Sequence, residues 1–162
     1  MARPFERIAA GIAFILGLAT ILGALGSQYI GGLQPCDLCL QQRMPYYWGL
    51  PLLALILVLW GRLPKQVKIA GMAIVAALFA YGAYLGAFHS GVEWGFWPGP
   101  TTCSGLGESL SLDSLNDLKP VIGCDVVQFR FLGISMAGYN AIISLAIAGL
   151  LTLSILRTSR QR

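Results

Sequence analysis

The sequence predicts an all-α membrane protein: a four-helix transmembrane bundle with one short amphipathic helix on its outer surface. Three observations carry this. Hydrophobic residues make up 56% of the 162-residue chain, and only 11% are charged, against roughly 25% in ordinary soluble domains. Four long segments contain no Asp, Glu, Lys or Arg. The basic residues gather at the ends of those segments. So much apolar surface on a chain this short needs lipid as its solvent, and the length suits one domain over residues 1–162.

The apolar segments run over about 8–30, 44–61, 69–90 and 131–156. At about 1.5 Å per residue each approaches or exceeds the span of a hydrocarbon core of about 30 Å. Helices are the form that satisfies backbone groups within one segment in lipid. The first span has the alternative reading of a secretory leader, with Arg3 and Arg7 before it and Ala24-Leu25-Gly26 near its end. Its apolar run is long for that role, which favours retention. The second span, Met44 to Gly61, is the shortest and carries Pro45 and Pro51. Pro45 falls in a first turn, where proline is tolerated, and Pro51 is expected to bend the helix. Gly82 and Gly86 in the third span suit close packing of two helices.

Arg3, Arg7, Arg62, Lys65, Lys68, Arg157, Arg160 and Arg162 are eight of the eleven basic residues, and four spans put them on one side. Arg43, Lys119 and Arg130 share the other side with six of the seven acids. The positive-inside rule then makes both termini cytoplasmic. The net charge of +4 therefore reports topology and no nucleic-acid partner, because it is split among three membrane edges. Two connections remain outside, about 31–43 and 91–130. In the second, Trp94, Phe96 and Trp97 suit a membrane-interface belt. Leu112, Leu115 and Leu118 share one face of the expected surface helix.

All four cysteines fall in these two connections, on the oxidising side where disulfides persist. Four cysteines allow three pairings; the most direct joins Cys36 with Cys39 and Cys103 with Cys124. A structural staple is a fair account of 103–124, whose loop of about 20 residues would contribute about 3 kcal/mol. It is a poor account of 36–39, which closes almost no loop. Close Cys-x-x-Cys pairs are redox or metal elements. Zinc would want a second close pair or histidines, so no metal is expected. Haem attachment needs a histidine where Leu40 stands. A redox pair remains. Pro35 and the two cysteines read as the start of the second helix, where the partial positive charge lowers a thiol pKa. Arg43, four residues after Cys39, adds a permanent cation on the same face. Asp37 opposes it if its carboxylate points at the sulfur. The bland account of Arg43 is a side chain snorkelling to lipid phosphates.

At these residues the sequence resembles a family. "PCDLCLQQR" is similar to the Pro-Cys-x-x-Cys-x-x-x-Arg signature of the bacterial disulfide bond formation protein B family. "PGPTTC" before the third cysteine and "FLGISM" after the fourth continue the likeness, which covers nearly the whole chain. The resemblance implies an inner-membrane thiol oxidase that reoxidises a periplasmic thioredoxin-like partner of DsbA type. The partner would attack Cys103 and free Cys124. Electrons would pass to Cys36–Cys39, and Cys39 would hand them to ubiquinone or menaquinone held near Arg43. The only histidine, His89, stands where the family has one, and Met136 occupies the family's methionine position; both become candidates to line the quinone site. Gln42 departs from the Glu-Arg common in the family. Two other classes compete: a membrane binding or structural protein with passive disulfides, and a vitamin K epoxide reductase-like quinone reductase. The latter places its quinone-side Cys-x-x-Cys on a late helix, whereas here it precedes the second span.

Overall fold

The computed structural model describes residues 4–103 and 123–160. The expected surface helix around Leu112, Leu115 and Leu118 lies outside them. Five helices dominate: α1 (Pro4–Tyr29), α2 (Asp37–Gln41), α3 (Met44–Val58), α4 (Lys65–Glu93) and α5 (Met136–Arg160). A 3₁₀ turn, Thr101–Cys103, and a two-stranded hairpin, β1 (Arg130–Phe131) and β2 (Ile134–Ser135), complete the order.

Local chemistry sets the boundaries. The chain leaves α1 through Gly31 and Gly32, and Gly32 takes the left-handed conformation (φ 69°) that favours glycine. Arg43 caps α3, with Pro45 inside its first turn, where its missing N–H costs nothing. Pro51 lies within α3. Gly95 (φ 73°) follows the end of α4. The hairpin pairs Arg130 with Ser135 and Phe131 with Ile134. Its turn, Leu132–Gly133, has positive φ at both positions, the geometry that matches strand twist. That turn is why the last long helix starts at Met136 and not at residue 131.

Among the described residues, three helices are long and apolar enough to cross a membrane: Phe5–Tyr29, Lys65–Glu93 and Met136–Arg160. The expected span over 44–61 is not among them. Helix α3 has 15 residues, about 22 Å at the usual rise, short of a full core. The chain leaves helical geometry at Leu59 and turns through Arg62.

Helix α5 packs against α1 and α4, while α3 packs against the same two helices. Tyr46, Leu50, Leu53 and Ile56 of α3 repeat at helical spacing and meet Met72, Val75 and Phe79 of α4 in the core, with Ile147 and Leu151 of α5. The outside stays apolar: Ile8, Ile15, Leu55, Val58, Ile74 and Leu145 are each more than half exposed. Such a surface suits contact with hydrocarbon. The Gly82/Gly86 pair is used within the bundle. A Cβ at Gly86 would meet Ala141 N at 2.7 Å and Ala137 O at 2.9 Å, both backbone atoms of α5. Gly82 lies against Pro45 and Ser144.

Gly86→Ala is therefore expected to lose about 1–3 kcal/mol, the usual cost of forced overpacking. Gly23, with nothing near its Cβ position, should gain up to about 1 kcal/mol on change to alanine. Thermal unfolding of the two detergent-solubilised variants checks this pair, and equal shifts would remove the close α4–α5 contact.

Candidate functional site

The Cys-x-x-Cys pair has a helix of its own. Cys36 is the N-cap of the five-residue α2, and its Sγ accepts the Cys39 N–H at 3.2 Å. This corrects the expectation that the pair opens the second long helix: Gln42 and Arg43 intervene before α3. Asp37 turns away from the sulfurs. Its carboxylate accepts from Gln41 Nε2 at 2.8 Å and from Thr102 Oγ1 at 2.9 Å. It thereby ties α2 to the turn that carries Cys103.

Cys103 and Cys124 form a disulfide, with Cα atoms 5.2 Å apart. Cys36 and Cys39 are free thiols, so one expected pair is bonded and the other is an open dithiol. Cys36, Cys103 and Cys124 pack in one buried cluster with Leu38 and Val92, and Cys39 lies against its edge. The sequence around Cys103 suggests an accessible sulfur after Pro-Gly-Pro. The structure instead buries the residue to 6% exposure, because the 3₁₀ turn folds it under Val92 and α2.

His89, near the end of α4, stands between the pairs. Its Nε2 lies 3.1 Å from the Cys124 carbonyl oxygen and 3.7 Å from Cys36 Sγ. Glu93, one turn on, reaches to 4.0 Å from the same nitrogen. Its other carboxylate oxygen, Oε2, is buried with no hydrogen-bond partner among the described residues. On the opposite ring edge, Nδ1 lies 2.7 Å from Gln42 Nε2.

Cys39 faces the other way, into a pocket of about 330 Å³ between α1, α3 and α5. Arg43, His89 and Met136 line it too, so four of the seven expected site residues share one cavity. Leu33, Gln34, Pro35 and Gln128 form a further part of its wall. Gln34 and Gln128 hold each other there, the Gln34 N–H donating at 3.1 Å and the Gln128 amide donating back. Arg43 is buried to 9% exposure and does not snorkel. It donates to Gln28 Oε1 and, at 3.3 Å, to the Ala24 carbonyl. Neutral oxygens of α1 hold the guanidinium, so its charge remains available to the pocket.

The thiols divide one proton unequally. Cys39 is lowered from the usual thiol range, chiefly because the Cys36 thiol donates to it. The Cys39–Cys36 backbone contact and the Arg43 cation act in the same direction, against burial and the Glu93 charge. Cys36 is pushed strongly up by that same shared hydrogen bond, then by burial and by the Cys39 charge. The lowered direction is the one expected from the helix start and Arg43, but its largest cause is the Cys36 hydrogen bond.

Sequence reading missed Gln28, Gln42, Tyr46, Glu93, Asn140 and Ser144 as partners in this site. The available signal was polarity itself: Gln28, Asn140 and Ser144 lie inside charge-free apolar runs, where a polar side chain needs a reason.

The profile of the family described as disulfide bond formation protein DsbB matches residues 6–154. The chain belongs to the DsbB family. A disulfide bond formation protein B of Polaromonas naphthalenivorans is 30% identical over 91% of this chain and 90% of its own length. One from Polaromonas sp. is 27% identical over 90% of this chain and 88% of its own. One from Albidiferax ferrireducens is 28% identical over 72% and 68%. No solved structure matches the chain significantly. Family membership makes this a membrane protein of disulfide-bond formation and a disulfide oxidoreductase. The close Cys36–Cys39 pair and the three apolar helices are in keeping with that role.

The ordering of causes at Cys39 gives a measurable consequence. In a chain lacking Cys103 and Cys124, Cys39 should alkylate with a pH midpoint below the ordinary thiol value of about 8.5. Its thiolate is present above that depressed midpoint and is lost as pH falls through it. Cys36→Ala should raise the midpoint more than Arg43→Ala. The reverse order in an iodoacetamide rate–pH series would return the leading role to Arg43.

Proposed function

We propose that this protein reoxidises a periplasmic thioredoxin-like dithiol partner of DsbA type and passes the electrons to ubiquinone or menaquinone. The observation that carries the reading is that Cys36 packs with the Cys103–Cys124 disulfide while Cys39 opens into an apolar pocket beside a buried arginine. One dithiol thus faces a protein disulfide on one side and a lipid-compatible cavity on the other.

The steps balance as thiol–disulfide exchange. A partner thiolate attacks Cys103 Sγ, the Cys103–Cys124 bond breaks, and Cys124 takes the released electron pair. The partner's second cysteine attacks the partner sulfur of this mixed disulfide, releasing oxidised partner and leaving Cys103 and Cys124 reduced. They reduce the Cys36–Cys39 disulfide in the same manner. Because Cys103 is buried, the first attack requires its segment to lift from Val92. A quinone, when bound, accepts two electrons and two protons, the amount released when Cys36 and Cys39 close to a disulfide. The pocket suits such a group: it is largely apolar, about 330 Å³, within the range of small-molecule sites. Arg43 would present donors and positive charge to a quinone oxygen, and Met136 would supply an apolar wall. Cys39 contributes the thiolate from which electrons leave.

The same reading places the protein in the inner membrane with both termini cytoplasmic and four crossings. Helix α3 runs from the cysteine end of the bundle to the opposite end, where the Leu57 carbonyl accepts from Arg7 at 3.4 Å. At that end Lys65 Nζ donates to the Ser159 carbonyl at 2.8 Å. A 15-residue crossing is accommodated by local thinning and flanking residues. The basic residues gathered there make that side cytoplasmic by the positive-inside rule.

The test is quinone reduction by purified protein supplied with a reduced thioredoxin-like oxidase. Absorbance of a short-chain ubiquinone should fall in step with partner disulfide formation, and absence of both rejects the function. Arg43→Ala should raise the apparent quinone KM at least several-fold and recover in part at high quinone. Arg43→Lys should be milder, because it keeps charge but loses the planar donor fork. An unchanged KM in both would leave Arg43 with only its ties to α1. In a second measurement, Cys124→Ala with the partner's resolving cysteine removed should trap an adduct on Cys103. Peptide mapping of that adduct to Cys36 or Cys39 would reverse the order of the relay.

A further inference from the structure

The polar atoms around His89 form a chain whose two ends are backbone carbonyls. A carbonyl can only accept, and this fixes every donor between. Asn140 Nδ2 lies 3.3 Å from the Gly82 carbonyl and 2.8 Å from Gln42 Oε1. Asn140 Oδ1 accepts from the Tyr46 hydroxyl at 2.7 Å, which in turn is 3.2 Å from Ser144 Oγ. Gln42 Nε2 lies 3.2 Å from the Leu38 carbonyl and 2.7 Å from His89 Nδ1. Turning the Asn140 amide over would set its oxygen against the Gly82 carbonyl. Turning Gln42 over would set its oxygen against the Leu38 carbonyl and its nitrogen against the Asn140 nitrogen. Each flip replaces an attraction with a repulsion in a buried place, where an unmade hydrogen bond is expensive. The nitrogen of Gln42 therefore faces His89 Nδ1, and that ring atom must accept.

We propose that Gln42 is a positioning residue: it holds His89 as a neutral imidazole with its proton on Nε2, so that His89 serves thiol oxidation as a hydrogen-bond donor between the two cysteine pairs and not as a proton acceptor. The Nε2–H points at the Cys124 carbonyl oxygen at 3.1 Å, with Cys36 Sγ at 3.7 Å. It holds the backbone that presents the outer disulfide, and it offers a donor to the Cys36 sulfur when charge develops there during exchange. No proton passes through His89, because its one lone pair is engaged by Gln42. Among the described residues, the other charged or titratable groups around it are Glu93 on its own helix, the Cys36 and Cys39 thiols, and Arg43, Tyr46 and Tyr139 around the pocket. None of them replaces the amide at Nδ1. A carboxylate at position 42 has no proton to offer and would place the proton on Nδ1, freeing the lone pair of Nε2. One atom at residue 42 thus selects between a donor and a base. The same tautomer bears on the sulfur and nitrogen atoms of Cys36, Cys39 and His89, which lie within 4.8 Å of one another: the nitrogen a metal ion would use already carries a proton.

The catalytic half of this inference rests on the proposed thiol oxidase activity; the tautomer does not, and the two are read separately. The chain has one histidine, so ¹⁵N-histidine labelling of the full-length protein in nanodiscs gives one pair of ring signals. Nδ1 should be pyridine-type and Nε2 pyrrole-type, and Gln42→Glu should exchange the two or protonate both. A pyridine-type Nε2 in the unaltered protein, or signals unmoved by Gln42→Glu, would overturn the proposal. In quinone-coupled turnover, His89→Ala should lose at least ten-fold, and His89→Gln, which keeps an N–H but cannot act as a base, should restore the greater part. Failure of His89→Gln to restore turnover, in a variant that unfolds at the same temperature as the parent, would make His89 a base. Absence of turnover in the unaltered protein would count against the oxidase reading, while the nitrogen signals would still decide the tautomer.

Discussion

Polar atoms buried among hydrocarbon have only one another to satisfy. This constraint shapes the site more than any single charge does. An amide left without a partner costs several kcal/mol in an apolar medium. Gln42, His89, Asn140, Tyr46 and Ser144 come from three long helices and the link before one of them. Gln42 bonds both His89 and Asn140, Asn140 bonds Tyr46, Tyr46 bonds Ser144, and the network reaches the carbonyls of Leu38, Gly82 and Cys124. The network fixes the relative rotation of α3, α4 and α5 at the cysteine end. Gly82 and Gly86 allow the close approach it requires, since any side chain at Gly86 would strike the backbone of α5. Packing and hydrogen bonding here answer to the same distance between helices.

Arg43 obeys the constraint differently. A buried cation without a carboxylate is expensive, and its cost is met by the Gln28 side chain and the Ala24 carbonyl, both on α1. Neutral partners satisfy the donors without cancelling the charge. A carboxylate in that place would quench the field that reaches Cys39. The first helix therefore does more than fill the bundle: it holds a cation in the wall of the pocket and keeps it unneutralised.

Legibility from the sequence followed the physics of each feature. The long apolar runs were plain, because lipid leaves helices as the form for such segments and the period need not be read. The length of α3 was not, because nothing in "LILVLWG" distinguishes helix from the turn that replaces it after Val58. The four cysteines and Arg43 could be singled out because thiols and cations are rare in such a chain. Their separate helix could not: Pro35 announces a helix start, but no residue in "LQQRMP" announces that the helix stops and begins again. His89 was visible as the only histidine. The roles of Gln42, Asn140 and Tyr46 were not: polarity within an apolar run marks Asn140 as needing a reason, but it does not say which partners meet it, and these lie 47 to 98 residues apart. The burial of Cys103 was hidden for the same reason. Its neighbours in sequence are turn residues that suggest exposure, while the groups covering it come from α2 and α4.

On the proposed relay, the different surroundings of Cys36 and Cys39 give electron flow a direction. Cys36 is the sulfur packed against the outer pair, so it is the one within reach of an attacking Cys103 or Cys124 thiolate. Attack there breaks the inner disulfide with Cys39 as the leaving group. A thiol of lower pKa leaves faster. While Cys36 is bonded to the attacking sulfur it has no proton to share, so the Cys36 backbone contact and the Arg43 charge are what favour a Cys39 thiolate at that step, and the Cys36 hydrogen bond adds to them once both thiols are free. The released thiolate then already faces the pocket, on the far side of α2 from the sulfur that was attacked. Had the lowered pKa belonged to Cys36, the better leaving group would have been the buried one, and the negative charge would have appeared beside the disulfide just opened. The order of burial along α2, Cys36 inside and Cys39 at the pocket, is thus the same order in which the electrons must travel.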